Sequence, residues 1–239
     1  MKLTNEVTDR ELRLLAQIDA DCKALHLMPP VKTFLTWEVR NPDGSLELRH
    51  HRLSRTWNRN AYNYLCMTAM GIPMSAGGAS YGAGKIPMKD TGGTTRTSAT
   101  EIFYPHGDVP AAFIGTAGLV TKGIIVGTGT GAEDFEGHVL GTPIAHGTGA
   151  GQLSYGAQSN AIVTYDAGTK VLTAVHSRYM DNGSGGTISV AETAWYVQLS
   201  QSGNPYYFML TRDLLGSTVD VLATQRLTVS YTMTMTFPA

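Results

Sequence analysis

The residues best placed to do chemistry form the run Gly123-Ile124-Ile125-Val126-Gly127-Thr128-Gly129-Thr130-Gly131-Ala132, an apolar strand pattern followed by G-x-G-x-x-A. In a dinucleotide-binding turn such glycines bring backbone amides against a pyrophosphate at the start of a helix. Here the continuation Glu133-Asp134-Phe135-Glu136-Gly137, with Gly141 and Pro143 beyond it, does not open a helix, and its carboxylates would repel a phosphate. The run is expected to be a surface loop in which glycine permits close chain packing. Gly82-Ala83-Gly84-Lys85 lacks the G-K-[ST] ending of a phosphate loop.

The remaining candidates are weaker. His50 and His51 are adjacent, so on a strand they point to opposite faces, and His106, His138, His146 and His176 lack the i, i+4 spacing of zinc ligands. Glu133, Asp134 and Glu136 do not follow the ligand spacing of an EF-hand loop. Asp181 and Glu192 could form a glycosidase-type carboxylate pair only if the fold brought them together. No catalytic residue, metal or cofactor is expected. The segment from Arg49 through Arg52 and Arg55 to Arg59 concentrates positive charge around Trp57. It could touch nucleic acid, but salt bridges or a subunit contact account for it better in a chain of net charge −1. Tyr206, Tyr207 and Phe208, or Trp195 and Tyr196, could form a sugar-stacking platform, although alternation along a strand assigns at least half of them to a core.

The elements that must position these residues are legible from periodicity. Thr8 and Glu11 make a capping box, after which Leu12, Leu15, Ile18, Cys22 and Leu25 recur every three or four residues; an amphipathic helix over 9–26 follows, stopped by Pro29 and Pro30. Residues 31–40 and 45–53 alternate around Asn41-Pro42-Asp43-Gly44 and read as a β-hairpin. Residues 54–71 read as a second helix with Trp57, Ala61, Tyr64, Leu65 and Thr68 on one face. Residues 71–97, rich in Gly, Ala, Ser and Thr, read as an extended arm or loop.

Beyond residue 100 short β-type runs alternate with turns, at 123–126, 161–165, 171–179, 187–199, 206–210 and 226–237. Regular spacing of this kind points to a sandwich or barrel. In the final run Leu227, Val229, Tyr231, Met233, Met235 and Phe237 share one face, and Thr228, Ser230, Thr232, Thr234 and Thr236 the other. The fold class is therefore mainly β: a β-sandwich or jelly-roll-like body over 101–239, preceded by a helical arm over 1–30 and by the hairpin, second helix and Gly-rich arm over 31–100. At 239 residues such a chain can bury a large core without disulfides. Cys22 and Cys66 sit in helix-like apolar patterns and read as small buried hydrophobes in a reducing compartment. The first ten residues lack the apolar core of a secretory signal, and the most apolar stretch, 111–126, is broken by glycines and Lys122, so neither export nor a membrane span is expected.

Three blocks carry a resemblance to tailed-phage virion proteins. They are Phe34-Leu-Thr-Trp-Glu-Val-Arg40 with Asn41-Pro-Asp-Gly44, Arg55-Thr-Trp57, Asn60 and Asp90-Thr-Gly-Gly-Thr94; Ile125-Val-Gly-Thr-Gly129 with Pro143-Ile144 and Gly151-Gln-Leu-Ser-Tyr155; and Ile188-Ser-Val-Ala-Glu192 with Leu210-Thr-Arg-Asp-Leu-Leu215 and Leu227-Thr-Val-Ser-Tyr231. The resemblance implies a non-enzymatic, multi-copy component of the virion, made in the host cytoplasm, whose partners are copies of itself and major capsid or tail proteins. It fits capsid decoration, a tail-associated protein or, alternatively, a receptor- or glycan-binding fibre tip. Leu12, Leu15, Ile18, Trp57 and Tyr81 are the expected subunit-contact residues. The expected mechanism is burial of arm residues between copies together with strand addition at open sheet edges.

Overall fold

The computed structural model describes residues 2–70, 87–96, 112–201 and 204–237. It is mainly β, with two helices lying wholly within the described residues. The strands are β1 (Lys2–Asn5), β2 (Lys32–Arg40), β3 (Leu46–Leu53), β4 (Met88–Lys89), β5 (Thr95–Arg96), β6 (Gly123–Gly127), β7 (Ser154–Tyr155), β8 (Ile162–Asp166), β9 (Val171–Asp181), β10 (Ile188–Gln201), β11 (Asn204–Val221) and β12 (Arg226–Thr236). The helices are α1 (Asp9–Ala24) and α2 (Arg59–Met70).

A seven-stranded sheet has the order β1-β3-β2-β12-β9-β7, with β8 also paired to β9; a three-stranded sheet has the order β11-β10-β6. Their facing sides enclose the main core, so the body is a β-sandwich. Strand register lines up the inward residues of the large sheet in three rows. Leu48, Val39, Leu227 and Met180 form the first; His50, Trp37, Val229 and Arg178 the second; Arg52, Leu35, Tyr231 and His176 the third. The alternation of β12 produces this, because Leu227, Val229, Tyr231 and Met233 are each opposite an inward residue of both neighbours. From the small sheet, Trp195 stacks on Tyr231 at 5.8 Å between ring centres and meets His176 at 4.5 Å.

The hairpin expected to reach neighbouring subunits instead belongs to this sheet: β2 pairs with β12 over nine residue pairs, and Leu35, Trp37 and Val39 enter the same core as Ile124 and Val190. Residues 31–100 and 101–239 therefore do not have separate cores. β1, in a segment that looks polar and irregular in sequence, adds to β3 in parallel. β11 runs on to Val221, well past the apolar run at 206–210: β10 pairs with it up to Leu214 and again from Val219, and Gly216 with the exposed residues after it lies in the register shift between. The second helix begins at Arg59, not near residue 54: Asn58 caps it by accepting from the Ala61 amide at 3.2 Å, and Trp57 lies in a bridge to Thr211. α2 packs through Ala61 and Tyr64 against Phe208, Leu210, Val197 and Met88 at the far end of β10 and β11. Within the Gly-rich stretch, residues 87–96 form a small hairpin whose Asp90 carboxylate accepts from the Gly92 and Thr94 amides and from Arg96.

One cation is buried inside this framework without a carboxylate. Arg178 is 1% exposed and donates to the carbonyls of Gly156, Ile124, Thr116 and Leu119 at 2.7 to 3.0 Å and to Lys122 at 3.5 Å, with the Tyr155 ring 4.8 Å from its guanidinium. Burial lowers its pKa to about 10. Desolvating a guanidinium costs several kcal/mol, which charge-assisted bonds of about 1.5–3 kcal/mol each can offset when all the donors are used. The result is that segment 115–122, otherwise irregular, and the start of β6 are bound to β9. We predict that Arg178→Met, which leaves these carbonyls unpaired, lowers unfolding free energy by about 3 kcal/mol or more. Arg226→Met, which removes an exposed pair with Asp181, should cost less than about 1 kcal/mol in the same chemical denaturation series.

Candidate assembly surface

α1 starts where the sequence places it. Thr8 accepts from the Glu11 amide at 3.2 Å and the Glu11 carboxylate accepts from the Thr8 amide at 2.9 Å, so both halves of the capping box are present. Its contact with the body is narrow and largely ionic: Glu11 pairs with Arg55, and Asp19 pairs with Lys32 while accepting from the Thr236 hydroxyl at 3.0 Å. Glu11, Leu15, Asp19 and Cys22 form the half-buried face, and no residue of α1 is buried.

A helical stripe flanking that face is left in the open. Leu14, Ile18 and Leu25 are 53%, 42% and 66% exposed, Leu12 is exposed on the other flank, and Leu27 and Met28 continue the apolar surface past the helix end. Leu27 and Pro29 line a shallow cleft with Cys22, Thr236 and Phe237, which joins the helix end to the C-terminal end of β12. Of the expected contact residues, Leu12 and Ile18 are exposed and Leu15 is half-buried against the body. Trp57 is half-buried and packs against both core clusters. Tyr81 lies outside the described residues. Leu14, not among the expected contact residues, lies one turn before Ile18 on the same side of the helix, beside the series that starts at Leu12.

The residues that could have done chemistry are engaged in holding the fold. Glu192, fully buried on β10, accepts from the amides of Gly129, Gly141 and Thr142 at 2.8 to 3.1 Å and from Arg212 at 2.6 Å. Arg212 in turn donates to the carbonyls of Gly131 and Ala132 at 3.0 and 2.9 Å. The glycine run thus does bring amides around an anion, but the anion is the protein's own carboxylate. A Cβ at Gly127 or Gly129 would lie 2.5 or 2.4 Å from a Glu192 oxygen, so those positions require glycine for close approach.

On the opposite face of the same strand pair, fully buried Asp213 accepts from Ser54 at 2.9 Å and from Thr211 and Tyr231 at 3.2 Å, with Arg52 at 3.6 Å. Complete burial, and then the Asp213 charge, raise the Tyr231 hydroxyl far above its usual pKa. Asp181 pairs with Arg226 in the large sheet while Glu192 pairs with Arg212 in the small one, so the two carboxylates form no catalytic pair.

The arginine-rich segment is charge-compensated: Arg49 meets Glu38, Arg52 meets Asp213, Arg55 meets Glu11 and Arg59 meets Glu136. Trp195 and Tyr196 are buried, Phe208 is buried, and Arg96 covers the Tyr206 ring at 4.1 Å. Tyr207 is half-buried, and with the other four rings buried or covered the set forms no open stacking platform. His50 stacks on Trp37 and His51 on Phe34. Among the described residues no three His, Cys, Asp or Glu side chains gather as a metal site, and no helix is long and apolar enough to cross a membrane. The spacing G-x-S-x-G does occur, at Gly78-Ala79-Ser80-Tyr81-Gly82. It follows helix α2 where a nucleophile elbow needs a strand, and it lies outside the described residues.

We predict that Gly129→Ala destabilises the protein by about 2–4 kcal/mol, since the new methyl meets a buried carboxylate. Gly131→Ala, two residues on with nothing within 4 Å of its Cβ, should stay within about 0.5 kcal/mol of the parent in the same unfolding measurement. Comparison of the chain with family models, with curated proteins and with solved structures gives no match.

Proposed function

We infer that this chain is a non-enzymatic structural component of a tailed-phage particle that assembles in many copies, as a capsid-decoration or tail-associated protein. The observation that carries the assembly part of this reading is α1. It is a well-capped helix with no buried residue, and it holds Leu14, Ile18 and Leu25 together in the open along one side. Isolated helices of this length are marginal in water, and a contiguous exposed apolar stripe on a folded body marks an interaction site. The assignment to a virion is supported by the sequence resemblance of the β-strand and turn blocks. The engagement of Glu192, Asp213 and Arg212 in structural bonds supports a role without turnover. Of the aromatic residues that a glycan-binding tip would use, Trp195, Tyr196 and Phe208 are buried and Tyr206 is covered by Arg96, so no observation favours that alternative.

Point variants test this better than removal of residues 1–30, because that truncation would also delete β1 and the buried Val7. In the variant Leu14→Gln/Ile18→Gln/Leu25→Gln, helix propensity is nearly preserved and no buried contact is lost. Light scattering and negative-stain microscopy, on the protein alone and mixed with empty phage heads, should show oligomers or bound density for the parent and at least a tenfold loss for the variant, at unchanged melting temperature. A parent that stays monomeric and ignores heads would sink the assembly reading.

A further inference from the structure

The large sheet ends on β9, whose outer edge is occupied by β7 opposite Asp181 and Met180 and by β8 opposite residues 171–175. All five residues of β8, Ile162-Val163-Thr164-Tyr165-Asp166, are exposed, and Ile162, Val163 and Tyr165 are 63%, 59% and 51% exposed. No described strand pairs with the other side of β8, so alternate residues turn peptide N–H and C=O groups outward. Soluble proteins commonly blunt such an edge with lysine, proline or a bulge. β8 has none of these, and its register with β9 runs without a shift.

The other sheet ends are different. β1 is four residues long and carries Lys2. The outer edge of β6 is bridged at Gly127 to Pro143, and that of β11 is bridged at Thr211 to Trp57, with Arg212 donating to the Thr56 carbonyl.

The geometry points to a second copy of this chain as the partner of this edge, with β8 pairing antiparallel to β8 of the other copy across a twofold axis at Thr164. This rests on the assembly reading above and specifies one of its contacts. Thr164 is the one centre that pairs all five residues. Val163 then meets Tyr165 twice, Ile162 meets Asp166 twice, and Thr164 meets itself. A β-branched residue against an aromatic is a favourable cross-strand pair. The strand's single charge, Asp166, meets an aliphatic side chain and not its own copy, and it is already held by the amides of Gly168 and Thr169. Val163 and Tyr165 project to the side of the sheet shared with Ala174, Leu172 and Met233, and the Tyr165 ring lies 5.5 Å from that of Phe237. Phe237 lines the cleft that leads to Leu27. The two Val–Tyr pairs therefore continue into apolar surface on both copies, where affinity would be gained while the backbone ladder sets the register. A twofold contact of this kind closes on itself.

The test is sedimentation of the full chain over a concentration series, with three variants. Thr164→Lys sets like charges opposite each other at the axis and should weaken self-association at least tenfold at unchanged melting temperature, since the position is exposed. Thr164→Cys, in a Cys22→Ser/Cys66→Ser background, should give a disulfide-linked dimer under mild oxidation, because residues opposite themselves in an antiparallel pair lie about 4.5–5.5 Å apart at Cα, within disulfide reach. Ala167→Cys, equally exposed in the adjoining turn, should crosslink only at background rate. If the parent self-associates, Thr164→Lys leaves that unchanged and Thr164→Cys crosslinks no faster than Ala167→Cys, the β8 pairing is overturned and the assembly reading stands. A chain that stays monomeric throughout overturns the β8 pairing too, and the head-binding assay then decides the assembly reading by itself.

Discussion

Two adjacent residues of β11 hold three layers of this protein together. Because successive strand residues point to opposite faces, Arg212 turns outward to Glu192 and the glycine-loop carbonyls, while Asp213 turns inward to Ser54, Tyr231 and Arg52 of the large sheet. A loop, the small sheet and the large sheet are thereby joined through one dipeptide. Both carboxylates involved are fully buried, and such charges persist only where bonds replace their hydration. Four donors surround Glu192, and three of them are amides that tie both ends of the glycine-rich loop to β10. Arg178 performs the same task at the other side of the core with carbonyls in place of a carboxylate.

Much of the fold is legible in the chain. The Thr8–Glu11 box, the Asn41-Pro42-Asp43-Gly44 hairpin and the alternation of β12 rely on local rules, and each is found where those rules place it. What is not legible depends on partners distant in sequence. β1 has no pattern of its own and is a strand because β3 offers it an edge. Trp57 reads as part of a helix face, yet Asn58 ends that possibility by bonding to the carbonyls of Gly137 and Met209, about 80 and 150 residues away. The role of the glycine run could be narrowed from sequence, since acidic residues follow it, but its ligand could not be identified. Glu192 is more than 60 residues downstream and is brought there by the pairing of β6 with β10.

The proposed contact surfaces show the same division. The apolar spacing of α1 is visible in sequence, but not which part of its stripe the body would cover. The body takes the side carrying Glu11, Leu15, Asp19 and Cys22, because Arg55 and Lys32 fix that orientation through ion pairs. Leu14, Ile18 and Leu25 are then left outside. Hydrophobic periodicity alone would have turned the centre of the stripe inward with no preference between its flanks.

The way α1 is anchored bears on the thermodynamics of any contact it makes. It is tied at both ends, by the pairing of β1 with β3 before it and by the buried ring of Pro29 after it, and again at mid-length through Asp19. A helix tethered at three points has already lost most of its orientational freedom in the free subunit. A partner that docks on it forgoes the ordering penalty of a flexible arm, so that modest apolar contacts translate into usable affinity. The stripe is in effect a rigid key cut during folding, and its geometry is set before any neighbour arrives.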